Sequence, residues 1–256
     1  MKTIILSHQK NIRDLGGLPS QNDQHIKYGR LFRGGALHRV NEDDINILKD
    51  LKITDIVDFR GEEEFVLQPD VRIDGVRYHS LPAIEERVKK EDIHNDDGNL
   101  LWFVGKGKSG YEHMKQQYRN LINDKKSQDA YRQFFKILSQ ENVSTYYHCS
   151  QGKDRAGLAS YLIETILGVE EEEKIKDYLY SNNAMEAKIN TIIEQIKNKN
   201  FYDETYHQSL LDVFAARVEY LQCAIEEMDK NYGGVLKYIE YILNVDIDKF
   251  RQMYLE

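Results

Sequence analysis

The feature that most constrains the fold is a strand-like run, a glycine-containing loop and a helix-like run that follow one another between residues 143 and 167. Residues 143–147 are rich in β-branched and aromatic side chains, which is typical of a buried strand. After the loop, aliphatic side chains recur every four residues at Leu158, Leu162 and Ile166, which indicates a helix with one buried face. The loop therefore connects the carboxyl end of a strand to the amino end of a helix.

This loop carries a thiol at Cys149 and a guanidinium at Arg155. The backbone N–H groups of such a turn form a concave binding site for an anion, and the positive end of the helix dipole lies behind it. Arginine can bind phosphate through two parallel hydrogen bonds, and the same positive field stabilises a thiolate, the nucleophilic form of cysteine. We therefore expect Cys149 to act as the nucleophile and Arg155 to hold the transition state. The residues between them are predicted to bind phosphate: Ser150, Gln151, Gly152, Lys153 and Asp154.

Other interpretations of the loop fit less well. A P-loop ATPase would have Ser or Thr after Gly152-Lys153 and a glycine upstream, whereas Asp154 follows here. A buried structural thiol would need neither the glycine nor three charged residues beside it. The spacing of His148 and Cys149 does not suggest a zinc site, so no metal is expected.

Composition predicts a single domain over residues 1–256. The chain has 256 residues, of which 41% are hydrophobic, and this is enough for one large core. Its formal net charge is −8, and so acidic a chain is a poor general binder of nucleic acid or of an anionic lipid surface. The positive charges at 153–155 are therefore interpreted as a local site for one anion.

The cysteine count and the apolar runs bear on the compartment. The two cysteines, Cys149 and Cys223, lie far apart in sequence and indicate no disulfide framework. The apolar run near the N-terminus is too short for a signal peptide, and no apolar stretch of about 18 residues predicts an integral membrane segment. A cytoplasmic location is expected, and export by a route without a signal peptide stays open.

Two further strand-like runs, residues 53–60 and 76–82, alternate with helix-like runs. The pattern beyond Gly168 is helical throughout. The predicted fold class is therefore α/β, with a central, mostly parallel sheet flanked by helices and a helical C-terminal half. Ligand sites of open parallel sheets lie beyond the carboxyl ends of the strands, so Asp58 and Cys149 can lie close together.

Two segments are harder to interpret. Residues 83–128 are charged and lack strong periodicity over most of their length, and we expect a variable insertion there. Residues 181–213 show two amphipathic patterns on either side of residues 198–200, which predict two short helices. For Arg13 and Arg33, structural pairing with Asp14 or Asp58 and a role in the anion site both stay open.

The string His-Cys-x-x-Gly-Lys-Asp-Arg-x-Gly at residues 148–157 resembles the phosphate-binding loop of protein tyrosine phosphatases. It is most similar to one bacterial branch, the tyrosine and lipid phosphatases that include secreted enzymes of Mycobacterium and Listeria. The Asn-Ile-Arg-Asp-Leu-Gly-Gly run at residues 11–17 resembles another motif of that branch. The resemblance extends from residue 11 to about residue 243 and is weakest across 83–128 and 181–207.

The resemblance implies a cysteine-phosphatase-like fold and a phosphomonoester hydrolase that forms a phosphocysteine intermediate at Cys149. The implied substrate is phosphotyrosine, with phosphoserine, phosphothreonine and phosphoinositides as further candidates. The expected partners are a phosphorylated protein or a phosphoinositide, with phosphate or another oxyanion in the loop and no cofactor. Asp58 matches an Asp-Leu-Arg position of the family and is the expected general acid, with Asp154 as the alternative. The resemblance also implies a helical lid at residues 181–213.

Alternatives to a protein phosphatase stay open. One is a lipid phosphatase directed at phosphoinositides, and another is a phosphate-binding module with little turnover, against which intact Cys149 and Arg155 argue. A sulfurtransferase or arsenate reductase could use the same loop, but a reductase would need resolving cysteines, and Cys223 lies in a helical pattern typical of a core. Ala156 stands where many relatives carry Ser or Thr, whose hydroxyl can stabilise the departing thiolate, so slow breakdown of the intermediate is also an expectation.

Overall fold

The computed structural model describes residues 2–7, 9, 11–83, 109–198 and 203–256. These residues contain a six-stranded sheet with the strand order β1-β2-β3-β6-β4-β5. The strands are β1 (Lys2–Ile4), β2 (Ile12–Asp14), β3 (Leu31–Gly34), β4 (Asp55–Asp58), β5 (Arg77–Ser80) and β6 (Thr145–His148). The pairs β1–β2 and β2–β3 are antiparallel, whereas β3–β6, β6–β4 and β4–β5 are parallel. The predicted mostly parallel central sheet is confirmed.

Helices flank this sheet and make up the C-terminal half, as predicted. The first five are α1 (Glu42–Asp50), α2 (Glu62–Leu67), α3 (Gly110–Asn123), α4 (Lys125–Leu138) and α5 (Asp154–Ile166). The chain continues with α6 (Glu171–Ile196), α7 (Glu204–Phe214), α8 (Val218–Tyr232), the short α9 (Val235–Lys237), a π-helical turn (Tyr238–Ile242) and α10 (Ile247–Tyr254). Within the described ranges, none of the helices combines the length and the apolar character that crossing a bilayer requires.

The register of the sheet brings three strand ends into one row. In the parallel pairs, His148 of β6 lies opposite Gly34 of β3 on one side and opposite Asp58 of β4 on the other. The segments that follow β3, β4 and β6 therefore leave the sheet at the same edge, which is where open parallel sheets bind their ligands. Cys149 is the first residue beyond β6 at this edge.

Two hydrophobic clusters cover the two faces of the sheet. Successive residues of a strand point to opposite faces, and accordingly Tyr146 lies in the smaller cluster and Tyr147 in the larger one. The larger cluster also contains the apolar face of α5 and both cysteines, Cys149 and Cys223. Cys223 is buried on α8, which confirms its interpretation as a core residue, and burial raises the pKa of its thiol.

The helices before and after the loop that follows β6 differ from the predicted pattern. Residues 110–123, within the segment that lacked strong periodicity, form α3, whose buried side chains include Tyr118, and a second helix begins at Lys125. The variable insertion at 83–128 stays a prediction, and its residues 84–108 lie outside the described residues. Residues 181–196 are not a separate short helix but the second half of α6, because residues 171–196 contain no glycine or proline that would end the helix.

Candidate active site

The loop after β6 depends on a glycine in a conformation that other residues rarely adopt. Gly152 has φ +71°, and a Cβ atom at this position would lie 2.2 Å from the backbone carbonyl carbon and oxygen of Gly34. The loop therefore packs directly on the end of β3, and any side chain at residue 152 would push the two segments apart. Cys149, at the start of the loop, is 3% exposed.

The first two carbonyl groups of the loop lie within hydrogen-bonding distance of the preceding histidine and of the segment after β3. The carbonyl oxygen of Cys149 lies 3.2 Å from Nδ1 of His148, and that of Ser150 accepts from the backbone N–H of Ala36 at 3.1 Å. The segment after β3 thus holds the loop from one side.

The next three carbonyl groups accept hydrogen bonds from two buried side chains. Nδ2 of Asn11 donates to the carbonyl oxygen of Gln151 at 2.9 Å. Nη2 of Arg33 donates to the carbonyl oxygens of Gly152 and Lys153 at 3.0 and 3.4 Å. The carbonyl oxygens of residues 149–153 are thus all directed toward the protein.

The orientation of these carbonyls fixes the direction of the amide groups. In a trans peptide the N–H of the next residue points opposite to the carbonyl oxygen, and the described chain contains no cis peptide bond. The N–H groups of residues 150–154 therefore point to the concave side of the loop. Within the described part of the chain, no backbone carbonyl accepts a hydrogen bond from any of these N–H groups. The loop has the donors of an anion site beside a thiol.

Arg155 lies at the amino end of α5 and is held by a carboxylate from another element. Its Nη1 and Nη2 lie 2.5 and 2.9 Å from Oε2 and Oε1 of Glu64, and its Nη2 lies 3.3 Å from Oγ of Ser150. Burial lowers the pKa of Arg155, but the charge of Glu64 outweighs it and holds the pKa well above its usual value. The guanidinium is therefore charged and fixed in one plane beside the loop.

The sequence patterns did not predict Glu64 as a site residue. In α2 its side chain also accepts from the backbone N–H of Gly61 at 3.0 Å, and Oγ of Ser150 donates to its Oε1. The spacing of Gly61 and Glu64 is that of a capping box, which could have predicted the position of the carboxylate but not its contact with Arg155.

Asp58 lies at the same edge of the sheet as the loop but belongs to a separate charge cluster. Its two oxygens accept from Nε and Nη2 of Arg60 at 3.0 and 2.7 Å. Arg60 also lies 3.1 Å from Oδ1 of Asp70, whose Oδ2 lies 2.9 Å from Nε2 of His148. Burial lowers the pKa of His148, but the charges of Asp58 and Asp70 outweigh it and raise that pKa to about 9. The imidazole under the loop is therefore protonated at neutral pH.

The contacts of Asp58 do not favour the role of general acid that the family resemblance implied. Such an acid needs a proton on an oxygen that can reach the leaving group. Both oxygens of Asp58 instead accept from the guanidinium of Arg60, and its side chain is only 8% exposed. The acid role of Asp58 stays a prediction with no supporting contact to the loop.

Asp154, the alternative acid, is placed differently. It is the first residue of α5, and its side chain is 26% exposed at the loop. Its Oδ1 accepts from the hydroxyl of Tyr118 at 2.9 Å, and that hydroxyl lies 2.7 Å from the hydroxyl of Tyr178. Tyr118 comes from α3, which the sequence pattern did not predict, so this partner was missed.

Lys153 was predicted to bind phosphate, but its side chain points elsewhere. Its Nζ donates to the carbonyl oxygens of Val213 and Ala215 at 2.5 and 3.3 Å, at the end of α7. Burial lowers the pKa of this ammonium group, and Asp154 opposes that shift. Carbonyl groups at a helix C-terminus carry partial negative charge, and they compete with a bound anion for the lysine. The Lys153 side chain thus links the loop to α7.

Arg13 and Arg33 pair with a residue that neither alternative named. Nε of Arg13 lies 2.6 Å from Oδ1 of Asp177, and Nη1 of Arg33 contacts Oδ2 of the same carboxylate. Asp177 lies on α6, far away in sequence. The pairing with Asp14 or Asp58 was wrong.

One group of residues has the ligand types of a cation site. Asp58, Asp70 and His148 bring one ligand atom each to within 4.8 Å of one another. The guanidinium of Arg60 already lies between the two carboxylates, and His148 carries a proton. The existing charges therefore balance the cluster, and a cation would have to displace them.

Comparisons with known proteins agree with this geometry. Residues 4–256 match the sequence profile described as the tyrosine phosphatase family. The triple specificity protein phosphatase PtpB of Mycobacterium tuberculosis is 28% identical over 244 residues, which cover 84% of this chain and 86% of that protein. A Cupriavidus necator protein that carries a tyrosine-protein phosphatase name is 27% identical over 256 residues, covering 96% of this chain and 85% of that protein.

Among solved structures, TpbA of P. aeruginosa aligns over 90% of this chain and 88% of that chain at 15% identity. The TM-score is 0.28, which is too low to support a conclusion about the fold. The family match, in contrast, spans nearly the whole sequence and includes the loop from Cys149 to Arg155. This chain belongs to the tyrosine phosphatase family.

Proposed function

We propose that this protein hydrolyses phosphomonoesters with Cys149 as the nucleophile and Arg155 as the principal side-chain ligand of the transferring phosphoryl group. The observation that carries the proposal is the set of N–H groups of residues 150–154, which point to one side of the loop without a backbone acceptor in the described part of the chain. Phosphate oxygens are the acceptors that such a set of donors fits, since negative charge grows on them in the transition state. Ser150, Gln151 and Gly152 bind phosphate through these N–H groups.

The reaction has two displacement steps. In the first, the Cys149 thiolate forms a bond to phosphorus, the bond from phosphorus to the leaving oxygen breaks, and that oxygen takes a proton from a carboxylic acid. In the second, water forms a bond to phosphorus, its proton goes to the same carboxylate, and the phosphorus–sulfur bond breaks to restore the thiolate. Both steps keep the phosphoryl oxygens against the loop N–H groups and Arg155.

Asp154 supplies the proton in this proposal. Its carboxyl group is partly exposed beside the loop, where Oδ1 accepts from the hydroxyl of Tyr118 and Oδ2 lies 3.6 Å from Nζ of Lys153. Asp58 lies at the end of β4, as predicted, but there it pairs with Arg60 and His148 under the loop. The two carboxylates thus take different roles.

The proposed substrate class is phosphotyrosine, with phosphoserine, phosphothreonine and phosphoinositides as further candidates. The name of the relative PtpB includes triple specificity, which supports testing all of these. Lys153, which sequence reasoning offered as a further phosphate ligand, acts here as a link to α7. A phosphorylated protein or a phosphoinositide is the partner this proposal implies.

A single phosphatase domain over residues 1–256, with a variable insertion at 83–128, is part of the proposal, and one sheet and the family match over residues 4–256 support it. The proposal includes a helical lid formed by the second half of α6 and by α7. The side-chain amide of Asn182 bonds both the N–H and the carbonyl of Ala216, at 2.7 and 3.0 Å, and Lys153 of the loop contacts the same connection. The lid residues 199–202 lie outside the described residues.

Phosphate release from a panel of substrates tests the function. The panel contains peptides with phosphotyrosine, phosphoserine or phosphothreonine and vesicles with each phosphoinositide, and the control is the Cys149→Ser variant. We expect release from phosphotyrosine peptides by the wild type and none above background by the variant. Release from phosphoinositides alone would favour the lipid phosphatase, and no release from any substrate would favour a phosphate-binding module.

A further inference from the structure

We infer that Asn11 and Arg33 are positioning residues of the phosphate loop, which hold its peptide groups so that the N–H donors face the bound anion. Both side chains contact the loop from the side opposite to the anion, through the carbonyl oxygens of Gln151, Gly152 and Lys153. The inference rests on the proposed phosphatase function, because the loop is taken to bind phosphate.

The two residues are themselves fixed by buried contacts. Oδ1 of Asn11 accepts from Nη1 of Arg13 at 2.7 Å, and Nε of Arg13 lies 2.6 Å from Asp177, which Arg33 also contacts. Asn11, Arg13 and Arg33 are at most 1% exposed, and Asp177 is 2% exposed. Side chains that are buried and paired on both sides have little freedom to move, so they can define the geometry of the loop above them.

Asn11 and Arg33 contact the loop on both sides of Gly152, where the backbone conformation can change most easily. Gly152 has φ +71°, and glycine can exchange between several backbone conformations. Asn11 binds the carbonyl of the peptide group before Gly152, and Arg33 binds the carbonyl of the peptide group after it. A rotation of either peptide group would turn a carbonyl oxygen toward the phosphate in place of an N–H group. The two side chains oppose both rotations.

The charge of this cluster adds to the effect. Burial, and then the charge of Asp177, raise the pKa of the nearby Glu164 well above its usual value. Burial raises the pKa of Asp177, but the charges of Arg13 and Arg33 outweigh it and hold the pKa at about 2. Arg13 and Arg33 both contact the carboxylate of Asp177, so the positive charge of two guanidinium groups lies under the loop. Such a charge favours an anion on the other side of the same peptide groups.

Substitutions at Asn11 test the inference by measuring the binding of inorganic phosphate calorimetrically. In Asn11→Asp the shape of the side chain and its contact with Arg13 are retained, but an oxygen replaces the donor to Gln151. We expect the dissociation constant for phosphate to rise about tenfold or more, because the new oxygen repels the carbonyl that the amide held. Asn11→Ala removes the donor without adding an oxygen, and we expect a smaller rise.

Asn41→Ala is the matched control. The side chain of Asn41 caps α1 by accepting from the N–H of Asp44 at 2.9 Å. We expect this variant to melt at a lower temperature and to bind phosphate as the wild type does. Phosphate affinity compared with the melting temperature therefore separates a positioning role from a merely structural one. Arg33→Lys adds a second comparison, because it keeps the charge while one ammonium group replaces the planar fork of donors.

The outcomes separate this inference from the proposed function. Folded Asn11→Asp and Asn11→Ala variants that bind phosphate as tightly as a phosphate-binding wild type would overturn the inference and leave the function intact. A wild type that binds no phosphate would overturn the proposed function and the inference together. If phosphate affinity falls in the Asn11 variants and is unchanged in Asn41→Ala, the positioning role is supported.

Discussion

Single residues at the edge of the sheet show how the same side-chain type takes different roles in different surroundings. Asp58 and Asp154 both lie near the loop, but only Asp58 is bonded on both oxygens by a guanidinium. The side chain of Asp154 is 26% exposed, its Oδ1 accepts from the hydroxyl of Tyr118, and its Oδ2 lies 3.6 Å from Nζ of Lys153. The environment of each carboxylate, rather than its place in the sequence, separates the candidates for the acid.

The acid assignment predicts how two variants respond to the leaving group. Asp154→Asn should slow hydrolysis of phenyl or alkyl phosphates by about 10²–10⁴-fold, because a poor leaving group needs a proton. The same variant should slow nitrophenyl phosphate much less. Asp58→Asn should change both substrates by a similar factor. Steady-state rates on the two substrates check this, and a selective loss in Asp58→Asn alone would return the acid role to that residue.

Ala156 bears on the second step of the reaction. It is fully buried at the amino end of α5, next to Arg155, and it has no hydroxyl to stabilise the departing thiolate. We expect a burst of product before the steady state on nitrophenyl phosphate, and a smaller burst with faster turnover in Ala156→Ser. Rapid-quench kinetics measures both. If the wild type shows no burst and the substitution leaves the rate unchanged, breakdown of the intermediate does not limit turnover.

At the scale of elements, the end of β6 is stabilised by charge as well as by packing. His148 lies opposite Asp58 in the sheet and pairs with Asp70 from the segment after α2. Burial raises the pKa of Asp70, but the charge of His148 outweighs it and, with Arg60, lowers that pKa to about 2. The protonated imidazole is thus held by two carboxylates directly before the nucleophile.

This cluster predicts how the free energy of unfolding depends on pH. The pKa of His148 is raised from 6.5 to about 9, so its contribution is complete below about pH 6.5 and is lost as the pH rises through 9. The pKa of Asp70 is lowered from 3.8 to about 2, so its contribution is complete above about pH 4 and is lost as the pH falls through 2. The cluster therefore stabilises the fold most between these limits. The shift at His148 corresponds to a contribution on the order of 3 kcal/mol.

Urea unfolding between pH 6 and 9.5 measures this contribution. The wild type should lose stability across that range. Asp70→Asn should lose less, because the pKa of His148 is raised less without the charge of Asp70. Asp43→Asn, a change on the exposed side of α1, is the control and should follow the wild type. A wild-type stability that does not fall between pH 6.5 and 9 would show that His148 is not charged in the folded protein.

For the whole molecule, the sequence predicted what depends on neighbours along the chain and missed what depends on distant ones. The α/β sheet was predicted because strand and helix periodicities are local, and the loop was assigned because Cys149 and Arg155 lie close together in sequence. Glu64, Tyr118 and Asp177 were missed, since their contacts with the loop or with Arg33 join residues far apart in the chain.

The direction of the Lys153 side chain also could not be predicted from the sequence. Lys153 lies in the predicted loop, but its ammonium group reaches the end of α7 because the carbonyl groups of Val213 and Ala215 are within hydrogen-bonding distance. Helix length was underestimated for α6, which continues to residue 196 through the region expected to form a separate helix. Tertiary contacts decide the direction of the Lys153 side chain, whereas α6 continues because residues 171–196 contain no glycine or proline.

The proposed lid predicts a change in hydrogen exchange. If the second half of α6 and α7 close over the loop, vanadate should slow amide exchange in residues 181–198 and 203–214. Helix α1 contributes Leu48 to the smaller hydrophobic cluster, on the other face of the sheet. Its amide exchange should not change, and it serves as the internal control. Exchange in α6 and α7 that does not respond to vanadate would indicate ordinary core helices.

The most direct test of the account is detection of the phosphocysteine. The wild-type protein is mixed with excess nitrophenyl phosphate, quenched within the first turnover at a pH that preserves thiophosphate, and digested for mass spectrometry. We predict one phosphoryl group on the peptide that contains Cys149, none on the peptide that contains Cys223, and none in Cys149→Ser. Turnover by Cys149→Ser near the wild-type rate, or a wild type that turns over while Cys149 stays unmodified at every quench time, would contradict nucleophilic catalysis by this thiol.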